Sequence, residues 1–302
     1  MTRIVSLLAS GTEIVAALGL GERLVGISHE CDYPEALLDR PRVSRSRFDP
    51  EGLTSGEIDR AVRSAMSEHG SVYEVDGDLL EALHPDVILT QAVCEVCAVP
   101  TSGVREVVAA RGLTAEVVSL DAHSIEDILA SIAQVGEATS SPESARAAIA
   151  GIRARLDEVA RAVGEARRPR VLAIEWLDPP FVPGHWVPEM IQVAGGENLA
   201  GTCAQPSRQV DWPTICDLDP DVLVVMPCGF GVEAAAADAR AHADRLATAA
   251  PRAIANGRAF VVDASAYFNR SGPRFVTGVE ILAGLLHPER VEAPGRDRAL
   301  PL

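Results

Sequence analysis

Short runs of aliphatic and β-branched residues recur along this chain. Between them lie stretches whose apolar positions fall three and four residues apart. The runs, five to seven residues each, are Ile4–Leu8, Leu24–Ser28, Asp86–Gln91 and Glu116–Leu120, then Arg170–Trp176, Asp221–Pro227 and Ala259–Asp263. Near-continuous apolar runs suit strands buried on both faces. Their alternation with amphipathic helices predicts parallel sheets covered by helices. No run approaches the roughly 20 apolar residues of a membrane span, so direct membrane insertion is not expected.

One stretch breaks the rhythm. From 142 to 168 the apolar positions Ile149, Ile152, Leu156, Val159 and Val163 keep helical spacing without a strand between them. Ser141 and Pro142 stand where a cap and a first helical residue belong, and Arg167-Arg168-Pro169 closes the segment. At about 1.5 Å per residue this helix would be roughly 40 Å long. A phrase also repeats on either side of it. Leu83-His84-Pro85-Asp86-Val87-Ile88 is echoed by Leu218-Asp219-Pro220-Asp221-Val222-Leu223. Both read as a helix end, a Pro-Asp turn and a buried strand, and each strand runs into a Cys-bearing loop.

The expected fold class is therefore α/β: two Rossmann-like lobes with parallel sheets, joined by a single long backbone helix. The expected divisions are 1–141 and 169–302 for the lobes and 142–168 for the linking helix.

The length of 302 residues is ample for two cores, and 47% hydrophobic with 23% charged residues is ordinary for a globular protein. A net charge of −16 repels nucleic-acid phosphates and anionic lipid, which argues against a nucleic-acid partner. The opening Met1-Thr2-Arg3 leads straight into a short apolar run and then Ser10-Gly11-Thr12-Glu13, unlike a signal peptide. The expectation is a cytoplasmic chain whose six cysteines are thiols.

Ligands of open α/β sheets bind beyond the carboxyl ends of the strands, and four polar groupings fall there. His29-Glu30-Cys31-Asp32 follows the second run. Cys94-Glu95-Val96-Cys97 follows the third; its C-x-x-C spacing suits half a metal site, a redox pair or a structural pair. Glu175-Trp176 opens a Pro-rich segment ending Gly184-His185-Trp186. With aromatics only 4% of the chain, Trp176 and Trp186 are candidate apolar walls, and His185 is a candidate axial metal ligand. Cys228-Gly229-Phe230 is the second-half counterpart of Cys94. Cys31, Cys94, Cys97, Cys228 and His185 together would suit zinc or iron if they converge. Ser10 is a candidate cap of the first helix, whose N–H groups can face an anionic ligand group. No Walker A loop and no nucleophile elbow is present.

The opening Ile4-Val5-Ser6-Leu7-Leu8-Ala9-Ser10-Gly11-Thr12-Glu13, the segment Leu24-Val25-Gly26-Ile27-Ser28, the paired Leu-x-Pro-Asp phrases and Tyr267-Phe268-Asn269-Arg270-Ser271-Gly272-Pro273-Arg274 resemble class III periplasmic binding proteins. That family serves cobalamin, haem and iron–siderophores. The resemblance implies a substrate-binding protein, not an enzyme. Its two lobes would close around a corrinoid (cobalamin-like) or other metal-chelate ligand, with an ABC transporter permease as partner. Candidate ligand-binding residues are Ser10, His29, Glu30, Trp176, His185, Trp186, Phe230, Tyr267 and Arg270. The alternative is a cytoplasmic metal-binding protein or enzyme that uses the Cys/His cluster in the interlobe cleft.

Overall fold

The computed structural model describes residues 1–93 and 99–302. They fall into two compact units. The first comprises Met1–Gly52, Arg60–Ala122 and Glu126–Gly151; the second comprises Leu53–Asp59, His123–Ile125 and Ile152–Leu302.

The strands of the first unit are β1 (Ile4–Ser6), β2 (Leu24–Ile27), β3 (Ser44–Ser46), β4 (Tyr73–Val75), β5 (Val87–Thr90) and β6 (Glu116–Ser119). Four of them form a parallel sheet in the order β2-β1-β5-β6, while β3 and β4 pair antiparallel beside it. Every residue of β1 and β5 is buried, which explains why they are apolar up to their closing hydroxyl residues, Ser6 and Thr90. Val5, Leu7 and Ile88 pack with Leu80 and Val104 from helices Gly77–Ala82 and Thr101–Ala110 to make one core.

The second unit holds β7 (Arg170–Ile174), β8 (Trp176–Leu177), β9 (Pro180–Val182), β10 (Glu197–Asn198), β11 (Arg208–Gln209), β12 (Val222–Val225), β13 (Ala259–Val262) and β14 (Ala299–Pro301). Its main sheet runs β10-β7-β12-β13-β14, parallel except for β14. Leu172, Ile174, Leu223, Val225 and Val261 from its central strands pack against Ala235, Ala239 and Leu246 of the covering helices. All seven runs read from the sequence contain these strands, each trimmed by one to three residues at the ends.

The repeated Leu-x-Pro-Asp phrase has the same structure twice. His84 and Asp219, the residues before the prolines, both adopt left-handed backbone, with φ of 42° and 41°. Asp86 accepts the Arg3 N–H at 2.7 Å and Asp221 accepts the Arg170 N–H at 2.9 Å. Each Asp N–H returns to the carbonyl of the same arginine, at 2.9 and 2.8 Å. The turn thus locks the start of one central strand to the next, β1 to β5 and β7 to β12.

The long helix covers Pro142–Val163, five residues shorter than expected. Gly164, a poor helix former, follows its last residue, and Pro169 keeps the chain from resuming the helix before β7. Its buried stripe is Ala145, Ile152, Val159 and Val163. Part of the Pro-rich segment after β7 folds as the hairpin of β8 and β9, which β11 joins in a small antiparallel sheet of order β11-β9-β8. Pro180 is tolerated because Leu177↔Pro180 closes the end of a two-residue ladder.

Candidate functional site

In the first unit the loop after β2 is held by its own polar contacts. His29 Nδ1 lies 2.9 Å from the Ser44 hydroxyl, and Nε2 lies 3.2 Å from the exposed Glu30 carboxylate. Its ring centre is 4.9 Å from that of Tyr73. Arg42 donates to the carbonyls of Ser28, His29 and Cys31 at 3.0, 2.9 and 3.2 Å. Cys31, expected at a metal, is 2% exposed, with its sulfur 3.1 Å from the Thr12 hydroxyl oxygen. It is an enclosed core thiol.

Ser10 is not the cap of the first helix. The first helix is Ala9–Ala17, capped at Leu8 without a side-chain bond, so Ser10 sits buried inside the first turn. The Ser6 hydroxyl donates to the Leu8 carbonyl at 2.7 Å. Cys94 and Cys97 lie outside the described residues. Beside the ends of β5 and β6, Thr101, Ser102, Arg105, Ser119 and Asp121 line a pocket of about 320 Å³.

In the second unit β7 ends in Glu175, whose carboxylate accepts the Ser207 hydroxyl at 3.0 Å. Burial pushes its pKa up to about 7, against a smaller lowering by that hydrogen bond. The Ser207 oxygen also accepts the Gly184 N–H at 3.1 Å. His185 follows, its N–H donating to Gln205 at 2.6 Å and its carbonyl accepting from Ala204 at 3.0 Å. The segment 183–186 is thereby clipped along the segment 204–207.

His185 is half-buried and left-handed, with φ of 50°. Its Nδ1 is buried and has no hydrogen-bond partner among the described residues. Its ring centre lies 5.6 Å from that of His123. Burial first, and the neighbouring His123 second, hold its pKa below the ordinary histidine value, so the neutral imidazole predominates at neutral pH.

The aromatic candidates divide. Trp176 and Phe230, both half-buried, meet edge to face with centres 5.4 Å apart, and the Trp176 indole donates to Asp178. Trp186, expected as a ligand wall, is 8% exposed and gives its indole N–H to the Phe268 carbonyl at 2.8 Å. It is a core residue, because the helix Val187–Val193 begins directly after it and carries it inward. Tyr267 stands between Arg274 and Arg298, 5.7 and 5.9 Å from its ring centre, and Arg270 is half-buried on the following turn.

Cys228 is half-buried at the end of β12, its N–H donating to the Glu175 carbonyl at 3.1 Å. Among the described residues no three His, Cys, Asp or Glu side chains converge to hold a metal ion. Within the second unit, Cys228 and His185 are part of no such group. A groove of about 610 Å³ runs beside Arg155, Glu280 and Arg290, but Arg155 is already occupied by Glu280 at 2.7 Å. Sequence reasoning passed over His123 and gave Glu175 no role of its own. His123 follows β6 by four residues, while Glu175, directly after β7, was noted only as the start of the Pro-rich segment.

Residues 4–266 match the family model described as periplasmic binding protein. An uncharacterised ABC transporter substrate-binding lipoprotein of Bacillus subtilis is 26% identical over 298 residues, 95% of this chain and 80% of that one. A vitamin B12-binding protein of Vibrio cholerae is 24% identical over 282 residues, 92% and 86% of the two chains. Among solved structures, a periplasmic heme binding protein from Pseudomonas aeruginosa superposes with a TM-score of 0.73 at 23% identity, covering 98% and 96% of the two chains. The periplasmic vitamin B12 binding protein of Vibrio cholerae gives 0.66 at 23% identity, covering 95% and 96%. The chain belongs to the periplasmic binding protein family, whose members bind solutes and do not transform them.

Proposed function

We propose that this chain binds a corrinoid, or a closely related metal chelate, and presents it to an ABC transporter permease. The observation that carries the reading is His185: a neutral imidazole on a clipped loop, held in a backbone conformation that non-glycine residues rarely adopt. Such strain costs of order 1–3 kcal/mol and gathers at ligand sites. A neutral imidazole is a good donor to cobalt or iron. The half-buried Trp176–Phe230 pair and Tyr267 supply apolar surface of the kind a large planar ligand covers. Relatives named for vitamin B12 and a structural neighbour named for heme support the ligand class, and the ABC transporter relative supports the partner.

The variant His185→Ala tests this reading. Titration of aquocobalamin, and separately of hemin, into wild type and variant is followed by absorbance. The variant is expected to bind at least about tenfold more weakly, a loss of about 1.4 kcal/mol or more. The melting temperature of the ligand-free protein should change little, since alanine keeps the Cβ and the left-handed backbone of residue 185. Unchanged binding, or early unfolding with normal binding by the surviving protein, makes His185 a structural residue.

A further inference from the structure

We propose that His123 and His185 together form a binding site for a bare divalent transition-metal ion of the zinc, cobalt, nickel and copper class. The inference goes beyond the chelate reading and does not depend on it, because it needs no corrin or porphyrin ring.

Three observations carry it. The first is geometric. The two ring centres are 5.6 Å apart with their planes inclined by 39°. Two imidazoles on one ion, at metal–nitrogen distances of about 2.0–2.1 Å, have ring centres about 5–6 Å apart when the angle at the metal is near tetrahedral. The second is the buried Nδ1 of His185, which has no hydrogen-bond partner among the described residues. A buried polar atom left unsatisfied is costly, and a metal ion between the rings supplies the missing partner. The third is the rigidity of both supports. The Ile125 N–H donates to the Glu189 carboxylate at 2.7 Å, tying the His123 segment to the helix that follows His185. The His185 backbone is fixed in both directions by the segment 204–207.

The chemistry also sets the character of the site. Imidazole suits zinc, cobalt, nickel and copper better than magnesium or calcium, which prefer oxygen. With two protein nitrogens and no third His, Cys, Asp or Glu side chain converging among the described residues, the remaining positions go to water or to donors of a small ligand. Structural zinc sites close all four positions with protein, so this one belongs to the open, exchangeable kind.

The test uses the intact chain, freed of metal by a chelator, and the metal ions alone. Cobalt(II) titration should give visible d–d bands that saturate at one ion per chain, and zinc(II) should displace them. His123→Ala and His185→Ala should each weaken cobalt binding by at least about tenfold. His69→Ala, at an exposed histidine beside Glu68, should not change it. Copper(II) added to wild type gives a readout that needs no variant: electron paramagnetic resonance should show coupling to two imidazole nitrogens. One coupled nitrogen or none, or cobalt binding retained in both single variants, would overturn the assignment.

Discussion

Replacing Gly201 by alanine is expected to cost about 3 kcal/mol or more of stability and to lower the melting temperature by roughly 6–12 °C. Two effects combine at this position. Gly201 has φ of +85°, and a Cβ built there would overlap the Pro183 carbonyl oxygen. Neither can relax cheaply, because the obstacle is backbone. Gly184→Ala should behave alike for the second reason only: its Cβ would overlap the Gln205 carbonyl oxygen and stand 2.6 Å from both Pro206 C and Ser207 N. The two glycines allow the segments 183–186 and 204–207 to lie close enough for the hydrogen bonds that hold His185. Gly103→Ala is the control. It lies in the helix Thr101–Ala110 with nothing within 4 Å of its Cβ, so alanine there should be neutral or stabilise by up to about 1 kcal/mol. Thermal melts of the three variants decide the matter. Equal melting temperatures would mean that the close approach is not maintained in solution.

The second large effect is a pH dependence centred on Glu175. Its carboxyl has the ordinary pKa of 4.5 in the unfolded chain and about 7 in the folded one. Below pH 4.5 both states are protonated and the group does not oppose folding. Between pH 4.5 and 7 the folded state holds one more proton than the unfolded state, so stability falls as pH rises. Above pH 7 both states are ionised and the penalty is complete, of order 3 kcal/mol. Glu175→Gln keeps an acceptor for Ser207 and removes the charge. The variant should match wild type near pH 4 and exceed it by roughly 2–3 kcal/mol near pH 8 in denaturant titrations. Parallel curves at every pH would show that the carboxyl is well solvated.

Much of the architecture was legible because it rests on local patterns. A strand buried on both faces is nearly all apolar, and β12 (Val222–Val225) and the first three residues of β5 are. The Leu-x-Pro-Asp phrase carries its turn, its left-handed residue and its strand-locking aspartate in one short stretch, so both copies could be recognised. The hairpin of β8 and β9 was hidden by Pro179 and Pro180, which in most contexts oppose a ladder. Ser10 and Cys31 looked like surface chemistry because residue type does not report burial. Which way a side chain faces after a strand depends on the packing of the neighbouring helices. Trp186 is buried for the same reason. The pairing of His123 with His185, and the coupling of Glu175 to Ser207 across 32 residues, are products of tertiary folding and have no local signature.

Equilibrium titration of the wild-type chain with aquocobalamin, in parallel with hemin, tests the central claim most directly. Calorimetry or quenching of tryptophan fluorescence can follow the binding. The account predicts saturable binding of one ligand per chain, micromolar or tighter, with cobalamin preferred or matched only by another planar metal chelate. Failure of every metal chelate to bind, or equal binding by metal-free analogues of the same size, would contradict it.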